Sequence, residues 1–195
     1  MSKWRLATSY IPPGFPHDGF TFETTLNYSV GFRGPNSRDL ISSFADYALE
    51  NDLGSEHYSD TDLTLREHPE RIEAHELECL RTMMIEMINQ PEDFNNWFGR
   101  FISTQRHELD VAPAEPPFEQ SEVVNALLDG EVLTRLSGLR VGDSLFINSE
   151  KLEMPDAQVA DALCHYTEIT RETLGDGLQN PAVVAELTVL INQGY

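Results

Sequence analysis

Three prolines within the eight residues Tyr10-Ile-Pro-Pro-Gly-Phe-Pro-His17 constrain the start of this chain more than any other feature. Each proline fixes φ and removes a backbone donor, so a helix cannot pass through the run. With Asp18-Gly19 behind it, the segment reads as a stiffened turn feeding one histidine onto a β-strand. The β-formers Thr21, Phe22, Thr24 and Thr25 follow, then a second strand-like run, Leu26-Asn-Tyr-Ser-Val-Gly-Phe32. Arg33-Gly-Pro-Asn36 stops it. Two strands are marginal in water, so residues 10–35 call for a larger sheet to join. Taken locally, His17 is a turn residue as readily as a ligand.

The next stretch, 37–110, carries helical periodicity. Asn36 or Ser37 is placed to cap a helix with Leu40, Ile41, Phe44, Tyr47 and Ala48 on one face, ending at Leu53-Gly54. The segment from Ser55 to His68 is polar and long for a connection. Pro69 suits the first position of a second helix, with Ile72, Leu77, Leu80, Met83, Met84, Met87 and Ile88 forming an apolar band that widens toward its end. Pro91 opens a third helix bearing Phe94, Trp97, Phe98, Phe101 and Ile102. This much methionine and aromatic surface exceeds what one small bundle buries. A homodimer through the helical region is the preferred reading, and packing against further parts of the same protein is the alternative.

Residues 111–120 read as a proline-rich, semi-rigid linker built on Val111-Ala-Pro-Ala-Glu-Pro-Pro117. Beyond it, 121–195 form a compact unit. Ser121 caps a short helix to Leu128; Glu131–Leu136 and Leu139–Val141 read as strands. A hairpin turns near Asn148-Ser149. Pro155 starts a helix through Arg171, and Asn180-Pro181 opens a last one to Asn192. Helices alternating with short strands suit a winged-helix-like module, giving an α+β chain overall.

The net charge of -20 is distributed unevenly. Residues 1–35 hold three Lys/Arg against two Asp/Glu, 36–115 six against eighteen, and 116–195 four against thirteen. A duplex-binding face needs clustered cations, so DNA is not an expected partner of the winged-helix-like part. Solvated acidic faces explain the excess most simply; attraction to a basic partner is the alternative. The two cysteines, Cys79 and Cys164, sit in helical patterns among apolar neighbours and read as buried thiols in a reducing cytoplasm. No run approaches the ~20 apolar residues of a membrane span. Hydrolase elbows, phosphate loops and Cys-x-x-Cys pairs are missing, and His107-Glu108 lacks the second histidine of a zinc-protease motif. His57, His68, His75 and His165 read as ordinary surface or packed residues.

Several segments together resemble a known bacterial family: Tyr10–His17, the strand Leu26–Arg33 with Gly34-Pro-Asn36, Ile88-Asn-Gln-Pro91 and Trp97-Phe98. Arg106-His-Glu-Leu109, Gly130-Glu-Val-Leu133 and Gly138-Leu-Arg-Val141 add to it. The chain is similar, from Tyr10 to Tyr195, to the cupin-fold (JmjC-type) ribosomal oxygenases, and within them to the arginine 3-hydroxylases of a large-subunit ribosomal protein. That resemblance implies an Fe(II)- and 2-oxoglutarate-dependent oxygenase. It implies that 1–36 are the last strands of a double-stranded β-helix (cupin or jelly roll), 37–110 a three-helix dimerisation region and 121–195 a winged helix. It implies that His17 is the third iron ligand. On the strand behind, Asn27 and Ser29 share a face, so either is placed to hydrogen-bond the 2-oxoglutarate carboxylate; plain strand polarity is the alternative.

The family pattern also needs a His-x-Asp pair and a basic residue for the distal carboxylate of 2-oxoglutarate, and Met1–Ser9 contain neither pair nor fitting strand. The expectation is a C-terminal portion that lacks most of the barrel, binds neither iron nor 2-oxoglutarate tightly and is inactive as it stands. A basic ribosomal protein is the expected substrate of the complete enzyme. The competing expectation is a non-enzymatic dimeric interaction module with an acidic winged helix.

Overall fold

In a computed structural model of the chain, the described residues are 9–12, 14–22, 24, 26, 28–31, 34–59, 64–104, 112–134, 136 and 138–195. They form two compact units, Met1–Asn36 and Ser37–Tyr195.

Within the first unit, Gly14 adopts φ 81°, and the Phe15 N–H donates to the Pro12 carbonyl at 3.3 Å. This is the turn that the prolines predict. Among the described residues up to Asn36 there is no strand; Thr25, Asn27, Phe32 and Arg33, parts of the expected strands, lie outside the described residues. A strand is defined by its partner, and β-forming side chains without a neighbouring ladder have nothing to pair with. Tyr10, Phe15, Phe20, Phe22, Leu26, Tyr28 and Val30 are all exposed, Phe22 to 92%.

The second unit begins with helix α1 (Ser37–Glu50), closed by Gly54 at φ 70°. Helix α2 (Ala74–Ile88) starts later than Pro69 suggests. Glu73 and Glu76 form a reciprocal capping box there, and the Arg66 guanidinium grips both Glu76 oxygens at 3.0 and 2.7 Å. These bonds satisfy the orphan donors of a first turn better than a bare proline does. Pro91 does occupy the first position of α3 (Pro91–Ser103). Trp97 joins α3 to α1: its indole N–H donates to Ser43 Oγ at 3.0 Å, and its ring meets Phe44 edge-on at 5.1 Å.

The remaining elements are α4 (Gln120–Leu128), β1 (Leu133–Thr134), β2 (Gly138–Val141), β3 (Ser144–Ile147) and β4 (Glu150–Leu152). They are followed by α5 (Ala157–His165), β5 (Glu168–Ile169), α6 (Arg171–Leu174), a 3₁₀ turn (Gly175–Gln179) and α7 (Pro181–Gln193). Strands β2, β3 and β4 form an antiparallel sheet in that order, and β1 pairs with β5. Asn148 and Ser149 turn the β3–β4 hairpin with φ 46° and 72°, as a two-residue turn with both central residues left-handed requires.

Three local expectations shift. Glu119 rather than Ser121 caps α4, again through a box with Glu122. The predicted helix from Pro155 to Arg171 is two helices: Asp156 caps α5, accepting from Gln158 and Val159 N–H at 2.8 and 3.2 Å, and β5 interrupts before α6. That interruption is non-local, because Ile169 is drawn into register with Leu133. Cys79 is exposed on α2 and Cys164 half-buried, since α2 turns only Glu76, Met83 and Met87 inward.

Strand β3 is buried on both faces, with Leu145, Phe146 and Ile147 at most 2% exposed. Alternation sends Leu145 and Ile147 into the core formed by α4, α5, α6 and α7. Phe146 points the other way, against Gly99 of α3. Ser103 completes that junction by accepting the Ser149 N–H at 3.0 Å. Residues 112–119 are likewise fastened: the Asn192 amide accepts from Phe118 N–H at 2.8 Å and donates to its carbonyl at 3.0 Å. Helix α3 therefore packs on the sheet across the segment read as a linker, and 37–195 form one unit.

Candidate functional site

The proline-rich turn sets His17 just beyond Phe15, and the ring Nδ1 lies 3.5 Å from the Phe15 carbonyl. The residue is exposed, as are Asp18 and Ser29. Asn27 lies outside the described residues. Ser29 lies outside any strand assigned among the described residues.

An Fe(II) site of the type implied by the resemblance takes two His and one carboxylate on one face. Among the described residues no group of three or more His, Cys, Asp or Glu could hold a metal ion. His17 supplies one suitable donor, a single imidazole, and the described residues do not make up the rest of the site. Two of the other histidines make local contacts. His68 lies 3.2 Å from the Glu70 carboxylate, and His165 meets the Tyr166 ring edge-on at 4.7 Å. His107 falls outside the described residues.

Two further surfaces stand out. On α2 no residue is buried, and Leu77, Leu80, Met84, Ile85 and Ile88 are 40–65% exposed. The apolar band read in the sequence is thus displayed rather than consumed by the chain's own core. The winged-helix part, by contrast, offers no free cationic cluster among its described residues: Arg140 pairs with Asp161 at 2.6 Å and with Asp143 at 3.7 Å, and Lys151 with Glu153 at 3.7 Å. Asp161 holds the Arg140 guanidinium protonated, raising its pKa against the opposing effect of partial burial.

A family model described as a ROXA-like winged helix matches residues 86–195, more than half of the chain. The chain belongs to the ROXA-like winged-helix family. Its match begins within α2, so the family unit includes α3, in keeping with the Gly99–Phe146 packing. A JmjC domain model matches residues 8–40, the range that contains His17, Asn27 and Ser29.

Among curated proteins, the chain is 52% identical over 189 residues to the ribosomal protein uL16 3-hydroxylase of Escherichia coli (strain K12), covering 95% of this chain and 51% of that protein. Among solved structures it resembles the ribosomal oxygenase YcfD from Escherichia coli, with 50% identity, a TM-score of 0.82, and coverage of 85% of this chain and 47% of that one. A YcfD structure in complex with cobalt and 2-oxoglutarate matches with a TM-score of 0.81 over the same shares. The chain spans about half the length of the relatives it matches, the C-terminal part. The JmjC remnant and the winged helix expected from sequence are therefore both supported. No helix among the described residues is long and apolar enough to cross a membrane.

Sequence reading missed how α3 is shared between helices and sheet. Its only signal was Gly99 amid aromatic residues, an opening for a ring from elsewhere.

Proposed function

We propose that this chain is the C-terminal portion of an Fe(II)- and 2-oxoglutarate-dependent oxygenase that hydroxylates an arginine of a large-subunit ribosomal protein. The observation that carries this reading is the 52% identity over 189 residues to a ribosomal protein hydroxylase, with His17 inside the JmjC match. In the complete enzyme His17 contributes its neutral imidazole to the iron, and Asn27 and Ser29 offer hydrogen bonds to the 2-oxoglutarate carboxylate. Iron, when bound, would supply the oxidising chemistry with dioxygen as oxidant: one oxygen atom goes to the arginine C–H, the other to 2-oxoglutarate, which leaves as succinate and carbon dioxide. Residues of this chain hold and orient; one imidazole alone holds iron weakly, so the isolated chain is inactive.

Helices α1, α2 and α3 act as the dimerisation region, with the exposed Leu77–Ile88 face of α2 meeting a second copy. The acidic surface receives the basic substrate protein. The committed ion pairs of Arg140 and Lys151 support a protein contact rather than DNA for the winged helix. Free thiols at Cys79 and Cys164 accord with the cytoplasm. The identity to an oxygenase weighs against a stand-alone interaction module.

The test is 2-oxoglutarate turnover, with mass spectrometry of the ribosomal protein. The chain alone should give neither turnover nor hydroxylation. Joined behind a barrel segment carrying the two further ligands, it should give both, and His17→Ala should abolish them. Full activity of the joined His17→Ala protein would overturn the assignment of His17. In sedimentation, Met84→Asp should convert a dimer to a monomer; a monomeric unsubstituted chain refutes the dimerisation region.

A further inference from the structure

Beside β1 and the C-terminal half of α7 lies a cavity of about 320 Å³, far from any proposed iron ligand in sequence. Leu133, Ile147, Ile169, Leu187, Leu190 and Tyr195 line it. Four of them, Ile147, Ile169, Leu187 and Leu190, are at most 5% exposed and form an apolar floor. The mouth is open: Val132 is 46% exposed, and Thr134 is exposed. The volume falls at the small end of ligand-holding clefts.

Three acidic residues adjoin this lining, by sequence, strand register or hydrogen bond. Glu131 precedes Val132 and is exposed; Glu168 is also exposed and pairs with Thr134 across the β1–β5 ladder. Glu150 accepts a hydrogen bond from the Tyr195 hydroxyl at 2.9 Å, on the wall of the cavity. An apolar floor under a carboxylate rim selects its occupant by charge. Phosphates, lipid headgroups and nucleic acids are repelled, especially from a region that holds four Lys/Arg against thirteen Asp/Glu.

We infer that this groove docks a basic peptide segment, seating one aliphatic side chain in the cavity and its flanking Arg or Lys side chains against Glu131, Glu150 and Glu168. The inference rests on the function proposed above only in naming the source: a basic ribosomal protein offers such a segment. The winged helix then serves as a second hold on the substrate protein, apart from the residue to be oxidised.

The experiment is fluorescence anisotropy on the full chain, using a labelled peptide with one leucine between runs of arginine. Saturable binding that weakens with salt is expected. Replacing the peptide leucine by serine should weaken it about tenfold. The paired reversal Glu131→Lys with Glu168→Lys should also weaken it about tenfold, whereas Glu50→Lys on α1 should leave it unchanged. Val132→Asp should remove the preference for leucine. If that variant unfolds by circular dichroism, the exposed-glutamate reversals carry the test.

Equal losses from Glu50→Lys and the rim reversals would show general acidity and overturn the inference. So would indifference to the leucine, full competition by an uncharged apolar dye, or self-association that closes the groove. Binding is read without iron or 2-oxoglutarate, so failed hydroxylation leaves this result standing. Conversely, hydroxylation with intact kinetics in the rim-reversed joined enzyme, together with unweakened peptide binding, would sink the docking site and leave the oxygenase reading intact.

Discussion

Substituting Gly99 by alanine isolates the junction between α3 and the sheet. On an ordinary helix the change stabilises, by about 1 kcal/mol of propensity. At this position a Cβ would stand 2.5 Å from Cδ2 and Cζ of Phe146, against an ordinary contact distance of 3.4 Å. Phe146 Cε2 would stand nearer still, so the ring must retreat by about 1 Å to reach ordinary contact. Phe146 is 0% exposed, so it can retreat only by pushing α3 off β3. Trp97, 4% exposed and hydrogen-bonded to Ser43, resists that motion. Overpacking of this kind costs ~1–3 kcal/mol, which at least offsets the propensity gain.

Gly99→Ala should therefore lose up to about 2 kcal/mol net, or up to ~8 °C in Tm for a unit of this size. Urea unfolding followed by Trp97 fluorescence measures it. In a Phe146→Leu background the ring is gone, and Gly99→Ala should turn neutral or stabilising, giving a coupling of about 1–3 kcal/mol in the double-mutant cycle. A Gly99→Ala protein about 1 kcal/mol more stable than the parent would refute the packing of α3 on the sheet, because propensity would then be the only force acting.

Other outcomes follow from single contacts. Asp156→Ala removes the side-chain acceptor for the Gln158 and Val159 N–H groups and should cost ~1 kcal/mol in urea unfolding. Asn192→Ala should speed amide exchange at Phe118, which loses its side-chain acceptor, but not directly at Ala114, which bonds the Asn192 main-chain carbonyl at 3.0 Å. The Arg66 guanidinium, with the Glu73 N–H, holds Glu76 down to about 2. Because that pKa is depressed on folding, its contribution is present in full above the ordinary carboxylate value of 4.5 and fades as pH falls toward 2. A carboxyl titration followed by NMR should show it, and Glu76→Gln should abolish this acid-dependent part of stability.

Local signals were readable where a residue and its neighbours decide the structure. Asn180-Pro181 opens α7 as expected, with the Asn180 side chain accepting the Ala182 N–H at 3.0 Å. Asn148-Ser149 turns the hairpin where expected. The errors arise where distant residues compete. Pro69 loses to a box stiffened by Arg66, ten residues ahead of Glu76. The predicted Pro155–Arg171 helix breaks because Ile169 is claimed by Leu133. Cys79 reads as buried from its apolar neighbours, but periodicity cannot tell which side of α2 faces the chain's own core. For the site, the proline turn made His17 legible. The groove beside β1 was not, since its walls come from β1, β3, β5, α5 and α7 and share no motif.

Burial is spread unevenly along the Ser37–Tyr195 unit, and this bears on what α2 does. The main cluster runs from Val123 to Leu190, whereas α1 buries Phe44 and Ala48 and α2 buries nothing. A 15-residue helix is marginal on its own in water. Exposed aliphatic residues add nothing to its stability until something covers them. Its order in a lone chain rests on the inward Met83 and Met87, on contacts with α3 and on the Arg66–Glu76 clasp. Covering Leu77, Met84 and Ile88 with a second copy would supply the missing burial, so dimer formation and α2 stability should be linked. Hydrogen exchange at rising protein concentration decides this. Protection of α2 amides should climb with concentration while α7 amides stay constant; concentration-independent protection of α2 would show that its apolar face needs no second copy.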